Sequence, residues 1–238
     1  MNLSTNETEE ILKQKECDIE LKKQNILIDT GMLIHENINM NKMPKVSKKL
    51  NNEYSFDMKF FNLISGLSIT NELICKSNLL FNQIKNNTRE ILIFNSYSFT
   101  KLQKLNEYIV YDLKKYIDEV ISITWLLKQA EKVEDISIHN IGSYLNNSKN
   151  GDYTEYDNFK DFFEKINDLD NAYKHSYTNS AVAPNIGTEK NYIVVYYSKY
   201  GKKIRKPEIV DIELDELINK FNDFYNYSFE LIENLGSK

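Results

Sequence analysis

Glycine and proline are scarce in this chain, at seven and three among 238 residues. So few chain-breaking positions favour long helices over a fold of many short strands. Cysteine is nearly missing: Cys17 and Cys75 stand far apart, and with His35, His139 and His175 they fit no zinc spacing and no disulfide framework. Arginine occurs only as Arg89 and Arg205, while Asn, Lys, Ile and Tyr abound, a bias that suggests an AT-rich bacterial genome. No run approaches the roughly 20 apolar residues of a membrane span. The richest stretch, Phe60 to Leu80, is interrupted by Asn62, Asn71, Glu72 and Lys76. The opening MNLSTNETEEILKQKECD is charged from Glu7 onward and has no apolar centre, so no signal peptide and no membrane partner are expected, and the location is expected to be cytoplasmic. A large excess of one charge is also lacking. A net charge of −5 argues against broad, non-specific nucleic-acid binding, though not against local contacts.

What is present is enough apolar and aromatic surface for a substantial core. Apolar residues make up 41%, including sixteen Tyr and twelve Phe, and a chain of this length can bury them in one compact domain. Ser4 with Glu7 reads as a capping box that opens a polar helix to about Lys23. Ile26 to Ile38 is apolar but too short to assign to helix or strand, and 41–52 reads as a basic linker containing Pro44. Residues 1–52 are thus expected to form a polar helix and linker ahead of a helical domain over 53–238.

Within that domain Phe60, Leu63, Ile64, Leu67, Ile74, Phe81 and Ile84 keep a helical period from about Ser55 to Lys85, with Gly66 a mild internal weakness. Leu102, Leu105, Ile109, Tyr116, Val120, Ile123 and Leu127 do the same from about Lys101 to Glu131. Two such amphipathic helices must cover each other's stripes, which predicts an antiparallel bundle core. Trp125 reads as a core anchor. A shorter helix is expected around Asp135 to Leu145. Thr154 with Asp157 then reads as an N-cap pair for a helix over about Glu155 to Tyr177, burying Phe159, Phe162, Phe163, Ile166, Leu169 and Tyr173. After Pro184 and Gly187 the period changes to two, which predicts a hairpin over about 191–213. A last helix begins at Leu214 or Asp215. The fold class is therefore mainly α, a helical bundle with a β-hairpin near the C-terminus before the last helix.

The stretch with chemical potential is KINDLDNAYKHSYTN, Lys165 to Asn179. On a helix, Asp168, Asn171 and His175 fall at spacings of three and four and share one polar stripe. A His oriented by Asn171 or Asp168 can act as general acid or base near neutral pH. Lys174 beside it can stabilise developing negative charge, and Tyr173 and Tyr177 can stack on a base. The plainer reading of the same stripe is a hydrogen-bonded polar contact between helices or subunits. Lys42, Lys45, Lys48 and Lys49, and then Lys199, Lys202, Lys203, Arg205 and Lys206, form two basic clusters that read first as solvated loops. No glycine-rich phosphate loop, metal triad or nucleophile elbow appears, so no cofactor and no metal are expected.

Asp170-Asn171-Ala172-Tyr173-Lys174-His175 resembles the motif region of the HEPN superfamily, helical bundles that carry an Arg, usually a following polar residue, and a His four to six residues after the Arg. The wider likeness spans about residues 54 to 235, and its specific part rests on these six. The resemblance implies metal-independent endoribonuclease chemistry with His175 and Asn171 catalytic, to which the residues themselves add Lys174, Tyr173 and Tyr177 on the substrate. Asp168 and Asp170 enter as orienting groups from the residues themselves, not from the resemblance. The resemblance also implies a cleft shared by a homodimer, RNA as substrate, and a role as a toxin or anti-phage (abortive-infection) effector kept in check by a regulatory or antitoxin protein. This chain departs from the pattern at Asp170, where the family has Arg; a carboxylate cannot supply the bidentate cationic clamp that Arg gives a phosphate. A nuclease, a non-catalytic HEPN-like dimerisation or partner-binding module, and an unrelated bundle with a chance match all remain open on sequence.

Overall fold

A computed structural model describes residues 20, 23–30, 56–87, 96–129, 140–149, 153–175, 188–197 and 208–236. These form five α-helices and a two-stranded antiparallel hairpin placed before the final helix. None of the described helices is long and apolar enough to cross a membrane.

The two long helices appear where their apolar periods predicted them: α1 spans Phe56–Asn87 and α2 spans Ser96–Gln129. Three contacts along their length fix their relative direction. Ser77 Oγ donates to Asn106 Oδ1 at 2.6 Å, Thr70 Oγ1 donates to Asp112 Oδ2 at 3.2 Å, and Gly66 lies against the Tyr116 ring. Residue numbers that fall on one helix as they rise on the other describe an antiparallel pair. Phe60, Leu63, Ile64, Leu67 and Ile74 of α1, and Ile109, Tyr116, Val120, Ile123 and Leu127 of α2, are all buried in one apolar core. Phe81, Ile84 and Leu102 are buried in a second, smaller cluster at one end.

Gly66 is not merely a weak point in the helix. A Cβ built there would lie 1.7 Å from the Tyr116 hydroxyl oxygen and 2.7 Å from Cζ, so the absent side chain is what lets the tyrosine ring cross against the backbone of α1. This close approach belongs to the contact between helices, and the period of either helix alone does not contain it.

The short helix α3, Ile141–Ser148, starts later than the predicted Asp135. Two side chains set its start: Asn140 Oδ1 accepts the Ser143 N–H at 3.0 Å, and Asp118 Oδ1 from α2 accepts the Ile141 N–H at 2.7 Å. Both satisfy amide groups that a helix's first turn leaves without intrahelical partners. The predicted cap at Thr154 and Asp157 is corrected. Thr154 instead closes a turn, its carbonyl accepting the Asp157 N–H at 3.2 Å, and Asp157–Phe159 form one turn of 3₁₀-helix before α4, Lys160–His175. The hairpin pairs β1, Tyr192–Tyr197, with β2, Glu208–Glu213, in a register that sets Ile193 opposite Ile212 and Val195 opposite Val210. Ile193, Val195 and Ile212 turn inward. The last helix, α5, runs Leu214–Gly236 and buries Leu217, Ile218, Phe221, Phe224 and Tyr225, as its period predicted.

Aromatic rings fill the space where α3, α4 and α5 approach. Phe163 meets Tyr144 edge-on at 5.6 Å and Phe224 at 5.4 Å, and Phe224 also meets Tyr156 at 5.4 Å. Each buried hydroxyl finds a partner, as burial requires. The Tyr156 hydroxyl lies 2.7 Å from Thr124 Oγ1, while the Tyr144 hydroxyl accepts the Tyr156 N–H at 2.9 Å and donates to Asp157 at 3.3 Å. Burial pushes the Tyr156 hydroxyl up to about 12, and burial together with the Asp112 charge does the same for Tyr116. The folded protein therefore keeps protons that the unfolded chain releases near the ordinary tyrosine value of about 10. Stability from these groups is complete below about pH 10 and is lost as pH rises toward about 12. Urea-unfolding midpoints measured across that window are expected to fall steeply. A flat profile would mean that neither tyrosine is sequestered.

The segment left unassigned between helix and strand is neither over 26–30. Ile28 is buried, and its backbone is held by carboxamides in place of a neighbouring strand, with the Thr30 N–H turning back onto the Ile28 carbonyl at 2.9 Å. Asn71 of α1 accepts the Ile28 N–H at 2.8 Å and donates to the Ile28 carbonyl at 3.0 Å. Asn222 of α5 accepts the Asp29 N–H at 2.9 Å and donates to the Leu27 carbonyl at 3.0 Å. Asparagines from two helices therefore hold the backbone of residues 27–29. The predicted helix that ends near Lys23 and the basic linker 41–52 lie almost wholly outside the described residues.

Candidate functional site

The motif helix α4 lies among α2, α3 and both strands of the hairpin. Its burying face is made by Phe162, Phe163, Ile166, Leu169 and Ala172. The hairpin is tied to it directly, since Lys165 Nζ donates to the Asp211 carbonyl at 3.2 Å. A helix so enclosed holds its polar residues at set heights above the core, and their roles follow from that placement.

Asp168 and Asn171 are half-buried and one turn apart on α4, and His175 is the last residue of the helix. Asp170, where the HEPN pattern has Arg, is 3% exposed. Its Oδ2 accepts from Lys174 Nζ at 2.9 Å, one turn along the same helix. Lys174 also places its ammonium 5.0 Å from the centroid of the Tyr111 ring on α2, within cation–π range. The cation expected to meet a phosphate thus neutralises a buried carboxylate and rests on an aromatic face. Removing it would leave Asp170 without its counter-charge in a poorly hydrated place, an arrangement that proteins disfavour.

Tyr173 is half-buried and packs on the core, where burial and the nearby Glu107 charge raise its hydroxyl pKa above the ordinary tyrosine value. Tyr177 and both predicted basic clusters lie outside the described residues. The structure thus brings Asp170, Lys174 and Tyr111 together and keeps Asp168 and Asn171 on the neighbouring stripe. The Asp170–Lys174 pair was available to sequence reasoning as a charge pair at i, i+4. Tyr111 was not, because it comes from another helix.

A second polar feature lies at the far end of α2. Trp125, expected as a core anchor, is half-buried at the rim, with its ring 4.9 Å from Tyr153. It lines a shallow cleft with Lys128, Glu155 and Tyr144. Lys128 and Glu155 are ion-paired across this cleft, and burial lowers the Lys128 pKa. Among the described residues no group of three or more His, Cys, Asp and Glu is placed to hold a metal ion.

Compared with known proteins, the chain matches no family model, no curated protein and no solved structure.

Proposed function

We propose that this protein is a HEPN-like helical module that works by binding a partner, not by cutting RNA at the motif helix. One observation carries this reading: Lys174, the cation beside His175, is engaged by the buried Asp170 carboxylate at 2.9 Å. Phosphoryl-transfer chemistry on RNA needs positive charge or strong donors aimed at the scissile phosphate. In this chain the position that would carry the Arg clamp carries a negative charge, and that charge occupies the nearest lysine. The stripe of Asp168, Asn171 and His175 then serves as a polar contact that sets helix or dimer geometry, with a second copy of the chain and a regulatory protein as the partners in this reading.

The second reading is the metal-independent endoribonuclease of a toxin or anti-phage effector, with His175 as acid or base and Asn171 as its positioning partner. It is favoured by one feature, the half-buried Asn171 one turn before His175 on α4. A single comparison separates the two. The parent and His175→Ala proteins are expressed side by side, scored for growth arrest, and incubated with total cellular RNA in EDTA. The module reading expects no cleavage by either, with both proteins folded and equal in mass by light scattering. Cleavage by the parent alone would replace it with the nuclease reading.

A further inference from the structure

The longest helix among the described residues, α2, has an outer face of unusual composition for a chain whose net charge is −5. From Tyr97 to Lys128, the exposed positions include Tyr97, Lys101, Lys104, Tyr108, Tyr111 and Lys115, and only Thr100 and Lys128 complete the set. None is acidic. The six fall at steps of four, three, four, three and four, so they form one straight stripe along the helix. Tyr97 is 73% exposed, Tyr108 55% and Tyr111 48%.

The acids of α2 are all withdrawn into half-buried positions: Glu107, Asp112, Asp118 and Glu119. Glu107 is paired with Lys104 at 2.6 Å, Asp112 accepts from Thr70 at 3.2 Å, and Asp118 is paired with Lys114. Composition bias toward Lys and Tyr would scatter these residues around the helix and would leave Asp and Glu on the outer face. Here the exposed line is selectively cationic and aromatic; Lys104 is held by Glu107 and the Tyr111 ring lies under the neutralised Lys174, which leaves Tyr97, Lys101, Tyr108 and Lys115 as its open members.

We infer that this face of α2 is a docking tract for single-stranded RNA. Interleaved lysines and tyrosines match what a flexible strand offers: ammonium groups for successive phosphates and ring faces for unstacked bases. From Tyr97 to Lys115 the stripe runs about 27 Å at the helical rise, a length that suits a site of at least about four nucleotides. Lysine is depleted in protein–protein interfaces, so a stripe with lysine at half of its positions fits phosphates better than it fits a protein surface. The aromatic residues are all tyrosines, whose hydroxyls can bond the ribose 2′-hydroxyl that distinguishes RNA from DNA. The tract runs along α2, meets the motif helix only where Lys174 lies over Tyr111, and does not depend on catalysis.

The test is fluorescence anisotropy of the full chain with a labelled oligouridylate in EDTA, against the same probe in its deoxy form and against a polyglutamate peptide. Lys101→Glu with Lys115→Glu is expected to weaken RNA binding at least about tenfold. The same change is expected to flatten the dependence of log Kd on log salt by about 0.7 for each phosphate that is no longer neutralised. Tyr108→Ala is expected to weaken binding about five- to a hundredfold, with Tyr108→Phe retaining most of the stacking. All three positions are exposed, so thermal midpoints serve as a control for folding. RNA binding that is absent in the parent, or unchanged in these variants, would overturn the tract. Equal affinity for the deoxy strand would overturn the choice of RNA, and lysine-dependent capture of polyglutamate alone would assign the face to an acidic protein. Cleavage of the probe would instead count against the binding-only function proposed above and would leave the tract standing.

Discussion

Replacing Asn71 with Ala is expected to lower folding stability by about 1–3 kcal/mol, because it leaves the Ile28 N–H without a partner and the Ile28 carbonyl with the Thr30 N–H alone. Asn71 is 3% exposed and Ile28 is 2% exposed, so water cannot readily take over the missing bonds. The amide of Asn71 both accepts from the Ile28 N–H and donates to the Ile28 carbonyl, and few side chains can do both. Asn71→Asp keeps the acceptor, but it sets a carboxylate against the Ile28 carbonyl oxygen inside the core. It is expected to be at least as harmful as Ala. Asn222→Ala is expected to cost less, since Asn222 is half-buried and its partner Asp29 is exposed. Chemical denaturation of the three variants checks the order. An Asn71→Ala protein within about 0.5 kcal/mol of the parent, the usual range for neutral surface changes, would mean that residues 27–29 are not clamped in solution.

Gly66→Ala sets two physical effects against each other with opposite signs. Helix propensity alone favours Ala over Gly in a helix interior by about 1 kcal/mol. Packing opposes it, because the new Cβ would meet the Tyr116 hydroxyl oxygen at 1.7 Å and Cζ at 2.7 Å. Tyr116 is 7% exposed, and its ring is rigid beyond χ2, so relief requires the ring or α1 to move. Overpacking a fitted core costs about 1–3 kcal/mol, and an approach this short belongs at the upper end. The expected net result is destabilisation by about 1–2 kcal/mol after the propensity gain is subtracted. Tyr116→Phe in the Gly66→Ala background removes the nearest atom and leaves Cζ, so it is expected to recover part of the stability. The two substitutions should therefore couple in a double-mutant cycle. A Gly66→Ala protein more stable than the parent would show that the tyrosine does not lie across this glycine.

Both effects bear on how much of this protein is readable in one dimension. The apolar periods of α1, α2, α4 and α5, and the change to period two at the hairpin, were legible because burial on one face of a regular element repeats in sequence. The hairpin and its place before the last helix were legible for the same reason. Thr154 and Asp157 misled because their spacing suits an N-cap and a tight turn equally well. The 3₁₀ turn at Asp157–Phe159, which brings Tyr156 into the aromatic cluster, was decided by packing. At the candidate site, the stripe of Asp168, Asn171 and His175 follows from helical spacing, and so does the i, i+4 relation of Asp170 to Lys174. The burial of Asp170 and the seating of Lys174 on Tyr111 do not, because Tyr111 lies on α2.

Local pattern alone was enough to place the long helices, the hairpin and most of the side chains that face inward, while Trp125, read as core, stands half-buried at the rim. Those properties depend on residues within one or two turns of each other. Three features depended on the assembled fold: the groove that holds residues 27–29, the glycine that admits Tyr116, and the seating of Lys174 on Tyr111. Each is defined by atoms from elements far apart in the chain. Asn71 reaches Ile28 across 43 residues, and Asn222 reaches Leu27 across 195. Hydrogen bonding, steric contact and charge pairing act over a few ångströms of space, and only folding makes such residues neighbours.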